Sequence, residues 1–113
     1  MTFRASITDA NVDHFMNLLE RAESDGDRSR FRNLLVAEVD RYAQFDLMEH
    51  RRGALDLRIA SCKDKIARQS DLINEMRDGG LDLNGAETLM TNLIVVHDTL
   101  LAARILRLPD PEK

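Results

Sequence analysis

The distribution of proline limits what this chain can fold into more than any other feature. Pro109 and Pro111 are its only prolines, so residues 1–108 contain none. Because proline breaks helix interiors, a long segment without it can form uninterrupted helices. Aromatic residues, which strands favour, make up only 4% of the chain. We therefore predict one all-α domain over residues 1–113, with 109–113 as a tail.

The first two helical segments are separated by a short polar turn. Thr8 is a good helix N-cap, and apolar residues recur at helical spacing after it. Residues 24–27 predict the end of this helix, with Gly26 as the left-handed residue and Asp27 as the cap of the next helix. Because a short turn leaves two helices side by side, we predict an antiparallel hairpin over residues 8–50.

The boundary between the second and third helices has two interpretations. Residues 51–53 (Arg-Arg-Gly) offer a break, but a single glycine inside a helix costs only about 1 kcal/mol. The apolar positions of 31–45 and 55–76 do not share one helical phase, which favours a kink or short break near 51–54. That choice places a second hairpin at 54–108. One continuous helix from about 28 to 78 is the alternative.

The third helix carries the most regular pattern in the chain. Its apolar positions alternate spacings of four and three, which predicts the seam of a coiled-coil-like bundle. The pair Gly79-Gly80 should then end the helix. The seam residues are Leu55, Ile59, Cys62, Ile66, Gln69, Ile73 and Met76.

The fourth helix is apolar on nearly all sides. Asn84, with Glu87 three residues later, predicts a variant capping box at its start. A helix that is apolar all round must be buried on more than one face, and three other helices leave one side uncovered. We expect a second copy to cover that side, which makes the protein a homodimer. The predicted association surface is Val95, Ala102 and Leu106.

The spacings of known catalytic and metal sites are missing from the sequence. No histidine has a glutamate three positions before it, and there is no His-Glu-x-x-His or glycine-rich phosphate loop. Asp46 and His50 are four residues apart, but a surface hydrogen bond explains that spacing more simply than a shared metal. Cys62 is interpreted as a small core residue. We therefore predict no catalytic, cofactor-binding or metal-binding residues and no enzyme activity.

One short segment of the fourth helix has a chemical interpretation. Residues 93–101 resemble the phosphoacceptor box of one class of sensor histidine kinases, in which a histidine on a dimerising helix is followed by Asp and then Ser or Thr. The resemblance implies that His97 would accept a phosphoryl group and that Asp98 would orient or deprotonate its imidazole. The chain departs from that box at Ala102, where the box carries glutamine. From the residues alone, the alternative is a core histidine that fixes helix register through one hydrogen bond.

Charge and cysteine content indicate which partners and which cellular compartment to expect. The net charge is −4 and the sequence pI is about 5.3, which argues against a nucleic-acid partner. The locally basic segment 51–68 is interpreted as a solvated helix face. No apolar run is long enough to span a membrane. A single cysteine and no signal-peptide pattern lead us to expect a cytoplasmic protein.

Two longer segments resemble small all-helical proteins of rhizobia and related α-proteobacteria. This resemblance implies a bacterial, cytoplasmic, helical protein and carries over no catalytic residue. The residues that carry it are the segment 11–43, the run Ile66-Ala67-Arg68-Gln69, Leu72, Ile73, Met76, Gly80, Asp82, Ala86, Glu87, Leu89, Met90 and His97.

These observations lead to one functional hypothesis and one alternative. The first is a non-catalytic protein that acts through self-association and protein–protein interaction, as a small adaptor would. The alternative is a histidine phosphotransfer or kinase-dimerisation-like signalling module with His97 as the acceptor. The two make opposite demands, because a phosphoacceptor must be exposed and a seam residue must be buried.

Overall fold

Over residues 3–42 and 48–107 the computed structural model is an all-α bundle of four helices. They are α1 (Phe3–Glu20), α2 (Asp25–Tyr42), α3 (Met48–Asp78) and α4 (Asn84–Arg107). The structure describes the backbone of residues 3–42 and 48–107 and the side chains of residues 9–41 and 53–105. The predicted fold class is confirmed, and α1 with α2 and α3 with α4 form the two predicted hairpins.

Helix α4 is the central element, because it packs against each of the other three helices. Two long side chains of α3 contact α1 at points that are seven residues apart on each helix. Arg58 Nε donates to Asp13 Oδ1 at 2.8 Å, and Lys65 Nζ lies 3.2 Å from Glu20 Oε2. These contacts make α1 parallel to α3, so α1 is antiparallel to α4. Helix α2 is antiparallel to α1 and therefore runs in the same direction as α4.

The hydrophobic core takes residues from all four helices, and the predicted α3 seam faces it. Five of the seven seam positions are buried, and Ile66 and Met76 are partly buried. The seam amide of Gln69 donates to the backbone oxygen of Ala86 at 2.9 Å, so this polar residue has a partner. The core cluster is Val12, Met16, Leu19, Leu35, Val39, Leu55, Ile59, Cys62, Val96 and Leu100.

The end of α3 has the geometry that the two glycines predict. Gly80 has a φ of 72°, in the left-handed region that favours glycine. The Leu81 amide donates to Met76 O at 2.9 Å, and the Gly80 amide donates to Arg77 O at 3.1 Å. This pair of bonds is the Schellman motif, which satisfies the last carbonyls of α3 and directs the chain back toward α4.

The predicted caps at the starts of three helices are wrong. Helix α1 begins at Phe3, so Thr8 lies inside it and is not its cap. At α2 the cap is Ser24, whose Oγ accepts a hydrogen bond from the Asp27 amide at 3.1 Å, and Gly26 has no positive φ. At α4 the side chain of Asp82 accepts from the Asn84 amide at 2.9 Å, in place of the predicted Asn84–Glu87 capping box.

The short break predicted near 51–54 is also wrong, whereas the kink predicted as its other form stays a prediction. Helix α2 ends at Tyr42 and α3 already begins at Met48, so Gly53 lies inside α3. A Cβ added at Gly53 would meet no atom within 4 Å, so nothing there requires a glycine. The first hairpin therefore covers 3–42 and the second 48–107, in place of 8–50 and 54–108. Residues 43–47 and the tail 109–113 lie outside the described residues.

Candidate functional site

The outer side of α4 presents apolar side chains to solvent. Ile94, Leu101 and Ile105 are 42%, 36% and 58% exposed. Together with Asp98 they follow spacings of four, three and four along the helix, so they form one continuous stripe. We call these four residues the outer stripe. Its apolar members point away from the core that Val96 and Leu100 enter.

A groove of about 420 Å³ lies beside this stripe, between α2 and α4. It contains two of the three residues predicted for association, Val95 and Ala102. The side chain of the third, Leu106, lies outside the described residues. Sequence reasoning missed the α2 wall of the groove, although the i, i+4 spacing of Arg32, Val36 and Asp40 places them on one face. The lining residues are Arg32, Val36, Asp40, Val95, Asp98, Thr99, Ala102 and Ala103.

His97 lies partly buried on the side of α4 next to the outer stripe. Its side chain is 16% exposed. Nδ1 lies 3.0 Å from Asp98 Oδ1, so the neighbouring carboxylate orients the ring. Nε2 is buried and has no hydrogen-bond partner. The ring nitrogen away from Asp98 is therefore shielded from solvent.

Asn92 connects α4 to the hairpin of α1 and α2. This buried amide donates from Nδ2 to the backbone oxygens of Glu20 at 3.0 Å and Ala22 at 2.8 Å. Its Oδ1 accepts from Arg28 Nε at 2.6 Å. Sequence reasoning missed Asn92, although it lies four residues before Val96 on the buried side of α4. This amide therefore joins the end of α1 and Arg28 of α2 to α4.

Two cations of the basic segment 51–68 contact carboxylates of α1 and are partly buried. Arg58 reaches both Asp13 and Asp9, and only 15% of its side chain is exposed. Lys65 contacts Glu20, which is 16% exposed. These charges therefore contribute to the packing of α3 on α1.

Cys62 lies in the core, as predicted. Desolvation by burial raises the pKa of its thiol to about 11, while the charge of Lys65 opposes this rise and Glu20 adds a smaller rise. The thiolate is the reactive form of cysteine, so burial keeps this residue in its unreactive form near neutral pH.

The described residues form neither a metal cluster nor a membrane-spanning helix. In that part of the chain no three His, Cys, Asp or Glu side chains come together in a way that would hold a metal ion. The pair Asp46 and His50 cannot be placed, since both side chains lie outside the described set. Within the same part of the chain, no helix has the length and apolar character needed to cross a membrane.

The chain was compared with known proteins at three levels. No protein-family model, no curated protein sequence and no solved structure matches it. The resemblances to rhizobial helical proteins and to a histidine-kinase phosphoacceptor box therefore remain hypotheses, and the function is inferred from the chain's own geometry.

Proposed function

We propose that this protein is a non-catalytic interaction module that self-associates through the outer stripe and the groove between α2 and α4. The observation that carries the proposal is the exposure of Ile94, Leu101 and Ile105 in one line on a helix whose opposite side is already buried. Single exposed apolar residues are common on protein surfaces, but a continuous stripe beside an apolar groove is typical of an interaction site.

Self-association explains this surface better than a chemical role for α4. Association would remove three large aliphatic side chains from water, and apolar burial contributes about 25 cal/mol per Å². A two-fold axis would use the same surface on both copies, which closes the assembly at a dimer. In this proposal the protein is cytoplasmic and acts as a small adaptor, and a partner protein would bind the dimer rather than a single chain.

The alternative role for His97 has less support from its geometry. A phosphoacceptor nitrogen must be reached by the phosphoryl donor, whereas Nε2 of His97 is buried and Nδ1 faces Asp98. The test is incubation with acetyl phosphate, followed by phosphate analysis of the protein and of His97→Gln. Acid-labile phosphate on the wild-type chain that is lost in His97→Gln would support the signalling role against the one we propose.

Light scattering during gel filtration at increasing protein concentration tests the proposed function. We expect a mass near twice the 12.9 kDa of the chain, and a monomer at every concentration would refute self-association. Leu101→Glu should remain folded but become monomeric, because it places a charge in the outer stripe. Leu57→Glu is the matched control, since Leu57 is 75% exposed on α3, outside the stripe, and should leave the dimer intact.

A further inference from the structure

The outer stripe contains one charged residue, and that residue constrains how two copies can pair. Asp98 stands between Ile94 and Leu101, and 68% of its side chain is exposed. Covering the stripe would remove this carboxylate from water. A buried carboxylate without a cationic partner is costly, so the dimer needs a positive charge at this point.

Antiparallel pairing of two stripes does not supply that charge. Asp98 lies near the middle of the stripe that runs from Ile94 to Ile105. In an antiparallel pair the middle of one stripe meets the middle of the other. The two Asp98 carboxylates would then lie close together, and like charges at close range are unfavourable.

The groove provides a cation at the required height along the bundle. Among the described residues that line the groove, Arg32 is the only cation, and it shares this lining with Val95 and Asp98. Helices α2 and α4 run in the same direction, so a two-fold axis parallel to them keeps each residue at its own level. That axis places the stripe of one copy over the groove of the other, with Asp98 near Arg32 of the partner subunit.

We infer that the dimer is parallel and that reciprocal Asp98–Arg32 pairs between the subunits select this arrangement. The inference rests on the proposed self-association and adds its geometry. The contact with His97 uses Oδ1 of Asp98, and Oδ2 would accept from Arg32 of the partner subunit. Charge-assisted bonds between guanidinium and carboxylate groups combine strength with defined geometry.

Charge reversal of each partner provides the test. Arg32→Glu and Asp98→Arg should each weaken self-association by roughly tenfold or more, because each variant places like charges opposite one another twice. An equimolar mixture of the two variants should restore association to near the wild-type strength. In the mixture one chain carries both acidic residues and the other both basic residues, so the two kinds of chain form heterodimers.

A second mixture is the control for the position of the charge. Arg30→Glu reverses an exposed cation on α2 that contacts Asp27 and does not line the groove. It should associate like the wild type. Its heterodimers with Asp98→Arg should be weaker than those of the Arg32→Glu and Asp98→Arg mixture, because Arg32 of the Arg30→Glu chain still faces the arginine introduced at position 98. The folded state of every variant is checked by its helical circular dichroism and melting temperature. If Asp98→Arg does not fold, Asp98→Asn removes the charge but keeps an oxygen for His97, and it should weaken association and reduce its dependence on salt.

The outcomes separate this inference from the proposed function. A wild-type chain that stays monomeric refutes both. A wild-type dimer whose strength is unchanged by Arg32→Glu and Asp98→Asn refutes the parallel pairing alone. Failure of the Arg32→Glu and Asp98→Arg mixture to associate also refutes it. Arg32 and Asp40 are eight residues apart along the α2 wall of the groove, so an antiparallel pairing would bring Arg32 of one copy toward Asp40 of the other. If Asp40→Arg, and not Asp98→Arg, restored the association of Arg32→Glu, the pairing would be antiparallel and the inference would be overturned.

Discussion

Asn92→Ala is expected to lower the free energy of unfolding by about 3 kcal/mol. The substitution removes the amide that joins the end of α1 to α4 and accepts from Arg28. Each neutral bond contributes about 1 kcal/mol and the charged bond about 1.5 kcal/mol, because the groups left behind are shielded from water. Alanine recovers about 0.5 kcal/mol through its higher helix propensity. Urea unfolding followed by circular dichroism measures the loss as a lower midpoint with an unchanged slope.

Two further variants show whether hydrogen bonding is the cause. Asn33→Ala makes the same chemical change at an exposed position on α2 and should be neutral or slightly stabilising. Asn92→Asp keeps the size and the acceptor for Arg28 but replaces the donor to Glu20 O and Ala22 O with an oxygen. It should therefore be at least as destabilising as Asn92→Ala near neutral pH. If Asn92→Ala and Asn33→Ala differ by less than about 0.5 kcal/mol, the stabilising role of this amide is wrong.

Five other perturbations have defined outcomes. Ile66→Asp should unfold the chain or prevent its assembly, since a carboxylate in the α3 seam costs several kcal/mol; a wild-type melting temperature and mass would contradict this. Gly53→Ala should raise stability by up to about 1 kcal/mol in urea unfolding, whereas Gly80→Ala should lower it by about 1 kcal/mol because of the φ of 72°. Burial raises the pKa of the Cys62 thiol from 9.0 to about 11, so ionisation of the thiol favours the unfolded chain. The free energy of unfolding should therefore fall as the pH rises from 9.0 to about 11, and Cys62→Ala should lack this pH dependence. Leu106→Glu should give a folded chain that associates weakly, and light scattering at the wild-type mass would count against the association surface.

The regular parts of the fold could be predicted because burial there follows a repeating pattern. A heptad seam identifies one face of α3, and the residues from Leu55 to Ile73 on that face are largely buried. Helix ends follow weaker rules, because each cap contributes only about 1 kcal/mol and neighbouring polar residues compete for it. Asp82 therefore took the role expected of Asn84, and α1 extended past Thr8. The break expected near 51–54 does not occur, because a glycine is tolerated at position 53 on an exposed part of α3.

The candidate site was only half predictable for a different reason. Val95 and Ala102 were identified because α4 is too apolar to be covered by one neighbour, and that excess can be recognised within a single helix. Arg32 lies more than sixty residues earlier in the chain, so only the packing of α2 beside α4 brings it to the groove. An apolar helix can indicate that a surface exists, but the charges around its rim come from distant segments and depend on the register between helices.

That register links the stability of the bundle to the specificity of the proposed dimer. Asn92 holds α2 at a fixed height against α4 through Arg28, and Arg32 lies one helical turn beyond Arg28 on the same helix. If α2 shifted along α4, Arg32 would leave the level of Asp98 while the apolar residues of the groove could still find new neighbours. Apolar contacts tolerate such a shift, whereas a guanidinium–carboxylate pair does not. The buried amide of Asn92 therefore determines the level at which Arg32 is presented on the surface of α2. When Asn92→Ala is added to both charge-reversal variants, their mixture should show a weaker preference for heterodimers, even where the chains remain folded.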